Sequence, residues 1–133
     1  MSTLTSVAAG ILGFVILDGI WLGVIMASFY QRQFRDIGRF AADGSFAPIW
    51  SAALPVYVLL GAGVALFAAP RAESLAGAAL WGALFGIVVY GVYDLTNYST
   101  LAQWPAIVTV ADIVWGMFAC AAASAVAFAA GAR

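Results

Sequence analysis

Two Asp-x-x-Trp motifs lie within long apolar stretches of this sequence. The first pairs Asp18 with Trp21, and the second pairs Asp112 with Trp115. Residues three apart lie on one face of a helix, so each motif presents a carboxylate next to an indole N–H group. An ionisable side chain at membrane depth is rare and costly, which makes it a functional-site hypothesis by default. Carboxylates in such a place can exchange protons, bind a ligand or act as an acid and a base.

A third acid, Asp94, lies in a polar stretch near the end of another apolar run. Tyr90, Asp94 and Asn97 share one helical face, with Tyr93 beside it. Being close to the end of its run, Asp94 could instead be solvated or cap the next helix. Together with a tyrosine from a further apolar run, these residues form the predicted site for a proton or small ligand: Asp18, Trp21, Tyr57, Tyr90, Tyr93, Asp94, Asn97, Asp112 and Trp115.

The composition indicates that the segments carrying these residues lie in a membrane. Hydrophobic residues make up 65% of the chain and charged residues 8%, whereas soluble domains are roughly half apolar and a quarter charged. The chain has no Lys and few Arg residues, so nucleic-acid binding has no electrostatic basis.

Several kinds of chemistry lack their usual residues. Cys120 is the single cysteine and there is no His, which excludes an intrachain disulfide and removes the usual ligands of zinc, haem and di-iron sites. The absence of Lys removes Schiff-base chemistry. We therefore expect no cofactor.

Four segments are long and apolar enough to cross a bilayer as helices, which takes about twenty residues each. They cover residues 4–29, 48–69, 75–97 and 105–130. The first is too long for the core of a cleaved signal peptide, so we expect a retained span. Proline suits first-turn positions at Pro48 and Pro105, Pro70 follows the second span, and Ser74 can cap the third. The sequence predicts an all-α integral membrane protein: a single domain over residues 1–133, folded as an antiparallel four-transmembrane-helix bundle.

The main charged stretch, residues 30–43, lies between the first and second spans. On a helix, its apolar residues Tyr30, Phe34, Ile37 and Ala41 would share one side, opposite the charged ones. This pattern predicts a short interfacial amphipathic segment, and a solvated loop is the alternative. The sequence gives only weak support for the binding of anionic lipid by this segment.

The arginines of this stretch also bear on orientation. Arg32, Arg35 and Arg39 share a membrane side, whereas Arg71 and Arg133 lie on the other. The positive-inside rule then predicts a cytoplasmic loop and periplasmic termini. The difference in arginine number between the two sides is small, so inverted insertion and dual insertion are the alternatives.

Small residues recur at four-residue spacing on the third and fourth spans, where they allow helix backbones to approach closely in lipid. These residues are Ala78, Gly82 and Gly86 on the third span, and Gly116, Cys120, Ser124, Ala119, Ala123 and Ala127 on the fourth. We expect packing within the bundle. A homodimer seam along the alanine-rich end of the fourth span is the alternative.

Depth places the two Asp-x-x-Trp motifs opposite one another. Counting inward from the arginine-bearing side at about 1.5 Å per residue, Asp18 and Trp115 lie at a similar depth. Trp21 and Asp112 also match, roughly 4 Å nearer that side. If these two spans are neighbours, each indole can donate to the carboxylate of the other helix. Tyr57 and Tyr90 lie at about the same level, so the polar groups collect in one half of the bilayer. In contrast, Trp50, Tyr98 and Trp104 fit an interfacial aromatic belt.

Four short runs resemble the signature of an uncharacterised family of small bacterial membrane proteins, catalogued as domain of unknown function 2177. They are Leu-Asp-Gly-Ile-Trp-Leu-Gly at 17–23, Tyr-Asp-Leu-Thr-Asn at 93–97, Thr-Leu-Ala-Gln-Trp-Pro at 100–105 and Asp-Ile-Val-Trp-Gly at 112–116. The resemblance covers nearly the whole chain. It implies a four-span protein of the bacterial inner membrane and supplies no activity.

Three functions fit these residues. The first is binding or proton-coupled transport of a small molecule or lipid, with Asp18 and Asp112 as the switchable carboxylates. The second is a non-catalytic scaffold or accessory subunit of a membrane complex. The third is a lipid-modifying enzyme, although no nucleophile motif accompanies the acids. The three aspartates could also hold a hard cation such as Na⁺ or Mg²⁺. Expected partners are membrane lipids, a small molecule or proton, and a second copy of the chain.

Overall fold

The computed structural model describes residues 3–131, so Arg133 lies outside the described residues. The α-helices are α1 (Thr3–Ile20), α2 (Ala27–Gln33), α3 (Trp50–Gly63), α4 (Leu75–Thr100) and α5 (Ala106–Gly131). Five-residue π-helical turns extend α1 and α3, over Trp21–Ile25 and Val64–Ala68, and a 3₁₀ turn at Ala69–Arg71 follows the second of these.

Four continuous helical stretches are long and apolar enough to span a membrane. They cover Thr3–Ile25, Trp50–Arg71, Leu75–Thr100 and Ala106–Gly131. The described residues form no strand, and only one isolated bridge joins Phe40 to Phe46. The predicted all-α fold with four spanning helices is therefore confirmed, although the first span ends at Ile25 where the sequence predicted Phe29.

The central helix of the bundle is α5, which packs closely against α4 and also contacts α1. A Cβ atom at Gly82 would meet the carbonyl oxygen of Cys120, and one at Gly86 would meet that of Gly116. Glycine at these two positions thus allows the α4 and α5 backbones to touch. The prediction of small-residue packing within the bundle is confirmed.

The alanine-rich end of α5 is covered by the chain itself. Ala119, Ala123 and Ala127 are fully buried, and Ala127 lies in a cluster with Ala65 and Ala69 from the end of the second span. A dimer seam along this face is therefore wrong, because the second span already occupies it. A homodimer through another surface stays a prediction.

The remaining core lies between α1, the second span and α5. Its largest member is Phe14, which packs with Leu60, Val64 and Cys120. Many other apolar side chains point outward, among them Leu4 and Leu59 with exposed fractions of 76% and 71%. Such a surface suits lipid, which solvates apolar side chains that water would not.

The charged segment between the first two spans is helical only at its start. Helix α2 ends at Gln33, and the carbonyl of Phe34 then accepts hydrogen bonds from Ile37 and Gly38 in a turn. A helix through residue 43 is therefore wrong, and Ile37 is exposed. The local reason is turn geometry, including Gly44 at φ 82°, a backbone conformation that favours glycine.

The helix ends agree in part with the proline and serine signals. Ser74 caps α4, since its Oγ accepts from the backbone N–H of Gly77 at 3.1 Å. Pro48 lies two residues before α3, which begins at Trp50, and Pro105 immediately precedes α5. Both prolines thus lie just outside the first turns in which the sequence placed them.

Candidate functional site

A π-helical turn sets the geometry of the first span at its arginine-bearing end. The carbonyl of Trp21 accepts from the N–H of Met26 at 2.8 Å, five residues along, where an α-helix would bond four residues along. Met26 then leaves the helical conformation at φ −113° and ψ 9°, and α2 starts at the next residue. The turn and the bend direct α2 back over the end of the bundle.

The carboxylate of Asp18 is bound on both oxygens. The indole Nε1–H of Trp115 donates to Oδ1 at 3.0 Å, and the hydroxyl of Tyr57 donates to Oδ2 at 2.8 Å. The predicted bond from Trp115 is confirmed, and Tyr57 adds a second donor. Asp18 therefore ties α1 to both α3 and α5, and each of its oxygens has a donor.

The second predicted bond, from Trp21 to Asp112, is wrong in its direct form. The indole of Trp21 donates instead to the hydroxyl of Tyr30 at 3.1 Å, and that hydroxyl donates in turn to Oδ1 of Asp112. Tyr30 is only 2% exposed. Burial raises the pKa of the Tyr30 hydroxyl, and the bond to Asp112 raises it further, so the hydroxyl stays protonated and remains a donor at neutral pH.

The two tryptophans of the motifs lie face to face. The rings of Trp21 and Trp115 have centroids 4.3 Å apart and planes 2° apart. The indole of Trp115 donates to Asp18, and the indole of Trp21 donates to Tyr30, which donates to Asp112. The stack therefore lies between the hydrogen bonds of Asp18 and those of Asp112. It links α1 to α5 at the level of the polar cluster.

Asp94 is the least satisfied polar side chain of the cluster. It is fully buried at 0% exposure, so the expectation that it is solvated or caps a helix is wrong. Neither oxygen receives a hydrogen bond from an N–H or O–H donor of the described residues. Its neighbour is another carboxyl, that of Asp112 on α5. Close packing of α4 on α5 holds the two together.

Not every residue predicted for the site contributes a polar group to it. Tyr90 packs its ring against Gly116 and borders the apolar core. Tyr93 is 57% exposed and makes an edge contact with Trp104, with ring centroids 5.9 Å apart. Asn97, one turn beyond Asp94, is partly buried. The structure thus brings Asp18, Tyr57, Trp115, Trp21, Asp112 and Asp94 together, and leaves Tyr93 and Asn97 at the rim.

Of the three aromatic residues expected in the interfacial belt, two are exposed and one is partly buried against the rim of the cluster. Trp50 and Tyr98 are exposed by 63% and 53%, as an interfacial position requires. Trp104 is partly buried, because its indole donates to Thr109 at 3.2 Å and its ring lies 5.2 Å from that of Phe34. Trp104 therefore covers the rim of the cluster.

Tyr30 is the site residue that sequence reasoning missed. In a straight helix, a residue nine positions beyond Trp21 lies about 13 Å further along and half a turn around, facing away from it. The π turn and the bend at Met26 remove that separation. Gly23, within the π turn, is the only signal in the sequence, and a single glycine indicates a weak point of a helix without giving its direction.

The charges of the site are all acidic. No arginine within residues 3–131 forms an ion pair with a carboxylate, and the cluster contains only neutral donors. Among the same residues, no three His, Cys, Asp or Glu side chains come together as a metal site. The three aspartates do not form the cation site that the sequence left possible, since Asp18 is engaged separately from Asp94 and Asp112. What the geometry offers is one satisfied carboxylate and one pair of adjacent carboxyls.

A family model described as "Predicted membrane protein (DUF2177)" matches residues 3–129. No curated protein and no solved structure matches the chain.

Proposed function

The chain belongs to this family of predicted membrane proteins, and we propose that it acts in binding or proton-coupled transport, with Asp94 and Asp112 as its ionisable centre. The observation that carries the proposal is the carboxyl of Asp94, which is fully buried and receives no hydrogen bond from a donor of the described residues. A buried polar group without a partner is unusual and calls for an explanation. Exchange of a proton or ligand supplies one.

Charge balance favours a proton as the ligand of the Asp94–Asp112 pair. Two adjacent carboxylates that are both ionised repel each other strongly, and in known acid pairs they share one proton instead. A protonated carboxyl of Asp94 can also donate to Asp112, which turns two repelling acceptors into a bonded pair. Within residues 3–131 no arginine forms an ion pair with either carboxyl, and the sequence contains no Lys. A small molecule with an ammonium group would meet the same need and could compete with the proton.

Tyr30 gives this pair a connection to the outside of the bundle. Its hydroxyl donates to Asp112, and it belongs to α2, which lies beyond the end of the first span at Ile25. A shift of α2 would remove this donor from Asp112 and open the pair toward the arginine-bearing side. This arrangement supports a site whose access depends on a short helix.

The scaffold alternative is supported by a different observation. Asp18 has a donor on each oxygen, so this carboxylate holds three helices together. We therefore assign the structural role to Asp18, and the switchable role to Asp94 and Asp112. If the pair also proves inert, the scaffold describes the whole cluster.

The test is an infrared pH titration of purified protein in lipid nanodiscs, which detects the carbonyl band of a protonated carboxyl. Wild-type protein is expected to show such a band near neutral pH. Asp94→Asn and Asp112→Asn should each remove or shift it. Asp36→Asn is the matched control, because Asp36 is exposed in the loop after α2 and its loss should leave the band unchanged.

Proton movement is then measured in liposomes that contain a pH-sensitive dye and carry an imposed membrane potential. We expect a flux with wild-type protein and with Asp36→Asn, and a loss of that flux with Asp94→Asn. A neutral-pH band that persists in Asp94→Asn would contradict the shared proton. No band and no flux in any folded variant would leave the scaffold as the function.

A further inference from the structure

A groove of about 520 Å³ lies on the side of α2 that faces away from the carboxylate pair. It is lined by Ser28, Gln31, Arg32, Arg35, Phe40 and Gly44. Helix α2 thus separates two sites, because Tyr30 is buried against the bundle whereas Arg32 is exposed on the other face. The groove shares no lining residue with the carboxylate cluster.

The groove is basic. Arg32 and Arg35 are both exposed, and neither forms an ion pair with a carboxylate of the described residues. No acidic residue lines it. Of the two acids in this segment, Asp43 already accepts from the backbone N–H and the hydroxyl of Ser45, and Asp36 lies outside the lining. Two guanidinium groups beside a hydroxyl and an amide form a donor set suited to the oxygens of a phosphate.

The groove also lies at the height of lipid headgroups. The first span ends at Ile25, and α2 begins two residues later at Ala27. Val24 and Ile25 are 76% and 62% exposed, as expected of side chains that face acyl chains at the end of a span. Trp50, 63% exposed at the start of α3, marks the interface again where the chain returns to the bundle. An arginine one or two turns beyond such residues can reach lipid phosphates.

We propose that this groove binds the phosphate of an anionic phospholipid, with the guanidinium groups of Arg32 and Arg35 on the phosphate oxygens. The ring of Phe40 and the aliphatic parts of the arginine side chains provide an apolar wall for the glycerol region. The proposal does not depend on the function of the carboxylate pair.

Native mass spectrometry of the protein in detergent tests the site, with phosphatidylglycerol as the probe and phosphatidylcholine as the neutral comparison. Arg32→Gln and Arg35→Gln are each expected to weaken phosphatidylglycerol binding by about tenfold. Arg39→Gln is the matched control, because it removes the same charge from the same segment at a residue that does not line the groove. Its binding should change by no more than about twofold, since only diffuse attraction is lost.

The outcomes separate a defined site from general attraction between charges. An equal loss in all three variants would overturn the proposal, as would equal affinity for the two lipids. Inorganic phosphate is added as a competitor, and displacement of the lipid by millimolar phosphate would identify a soluble phosphate compound as the ligand instead. Arg32→Lys and Arg35→Lys, which keep the charge without the guanidinium fork, should bind at an intermediate level. Thermal unfolding verifies that every variant is folded.

Discussion

Trp21 and Trp115 stack with their planes 2° apart and their centroids 4.3 Å apart, while each indole N–H points to a different oxygen acceptor. The stack therefore divides the polar half of the bundle into two systems. On one side, each oxygen of Asp18 accepts from a neutral donor. On the other, Asp112 accepts from Tyr30 and lies against Asp94, whose oxygens receive no hydrogen bond from a donor within residues 3–131. This asymmetry is the basis of our proposal that Asp18 is a structural carboxylate and that Asp94 and Asp112 are ionisable ones.

The relay through Tyr30 predicts a specific pattern of energetic coupling. Tyr30→Phe and Asp112→Leu should each destabilise the protein, and together by clearly less than the sum, because both remove the same hydrogen bond. Leu is used because Asn would keep an oxygen that accepts from the Tyr30 hydroxyl. The coupling expected for one bond in a membrane protein is about 0.5–2 kcal/mol. The free energies of unfolding are measured in mixed micelles with a denaturing detergent.

The same experiment distinguishes the relay from a direct contact between Trp21 and Asp112. Trp21→Phe should couple to Asp112→Leu in the wild-type background and lose that coupling when Tyr30 is Phe. If the coupling persists without the tyrosine hydroxyl, the indole reaches Asp112 by another route. Tyr98→Phe serves as a control, because Tyr98 is 53% exposed.

The close approach of α4 and α5 predicts opposite effects for two glycines on one helix. Gly86→Ala should destabilise the protein by about 1–3 kcal/mol, because its Cβ would meet the backbone of Gly116, which cannot move aside. Gly91→Ala should instead be neutral or stabilising by up to about 1 kcal/mol, since nothing lies within 4 Å of that Cβ. Thermal unfolding of the two variants is the measurement. Similar losses for both would mean that the helices are further apart than the structure shows.

The turn after α2 predicts a pH effect outside the membrane. Hydrogen bonds from the hydroxyl and the backbone N–H of Ser45 lower the pKa of Asp43. A carboxyl whose pKa is lower in the folded state stabilises that state above its ordinary pKa, and the contribution is lost as the pH falls through the lowered value. We therefore expect this turn to loosen only in strong acid.

Ser45→Ala removes the main donor, so it should raise the pKa of Asp43 toward its usual range. An NMR titration of the Asp43 carboxyl carbon measures the change. Ser45→Thr is the matched control, because it keeps the hydroxyl and should leave the pKa of Asp43 lowered. An unchanged Asp43 pKa would mean that the hydroxyl does not bond to Asp43 in solution.

Much of this architecture follows from apolar run lengths and small-residue spacing. Gly82 and Gly86 lie four residues apart and face Cys120 and Gly116. Their spacing predicted close helix packing within the bundle, and the structure identifies α5 as the partner. The hydrogen bond from Trp115 to Asp18 could also be predicted from the sequence, because both residues lie in continuous helices along which depth follows from the residue number. These parts of the fold depend on regular geometry, which the sequence pattern carries.

The features that the sequence did not predict depend on irregular helix geometry and on the distance between helices. A π turn adds one residue to a helical turn and changes the direction of everything after it, so the position of Tyr30 required the bend at Met26 to be known. The burial of Asp94 required knowing how closely α4 and α5 approach, which depth alone does not give. Periodicity assigns residues to faces of a helix, but it does not measure the distance between helices.

Opposite stability effects are expected when the two classes of carboxylate are each changed to an amide. Asp18→Asn should destabilise the protein by about 1–3 kcal/mol, because an amide has one acceptor oxygen where Asp18 accepts from both Tyr57 and Trp115. At alkaline pH, where the shared proton is lost, Asp94→Asn should stabilise it by about 1–2 kcal/mol, since its amide N–H can donate to Asp112 and the repulsion between two buried carboxylates is removed. Unfolding in mixed micelles at alkaline pH measures both. A destabilised Asp94→Asn variant would show that the Asp94 carboxylate has a donor, and Asp94 would then be structural, like Asp18. A stabilised variant would identify Asp94 as a residue kept at the expense of stability, as expected of a functional group.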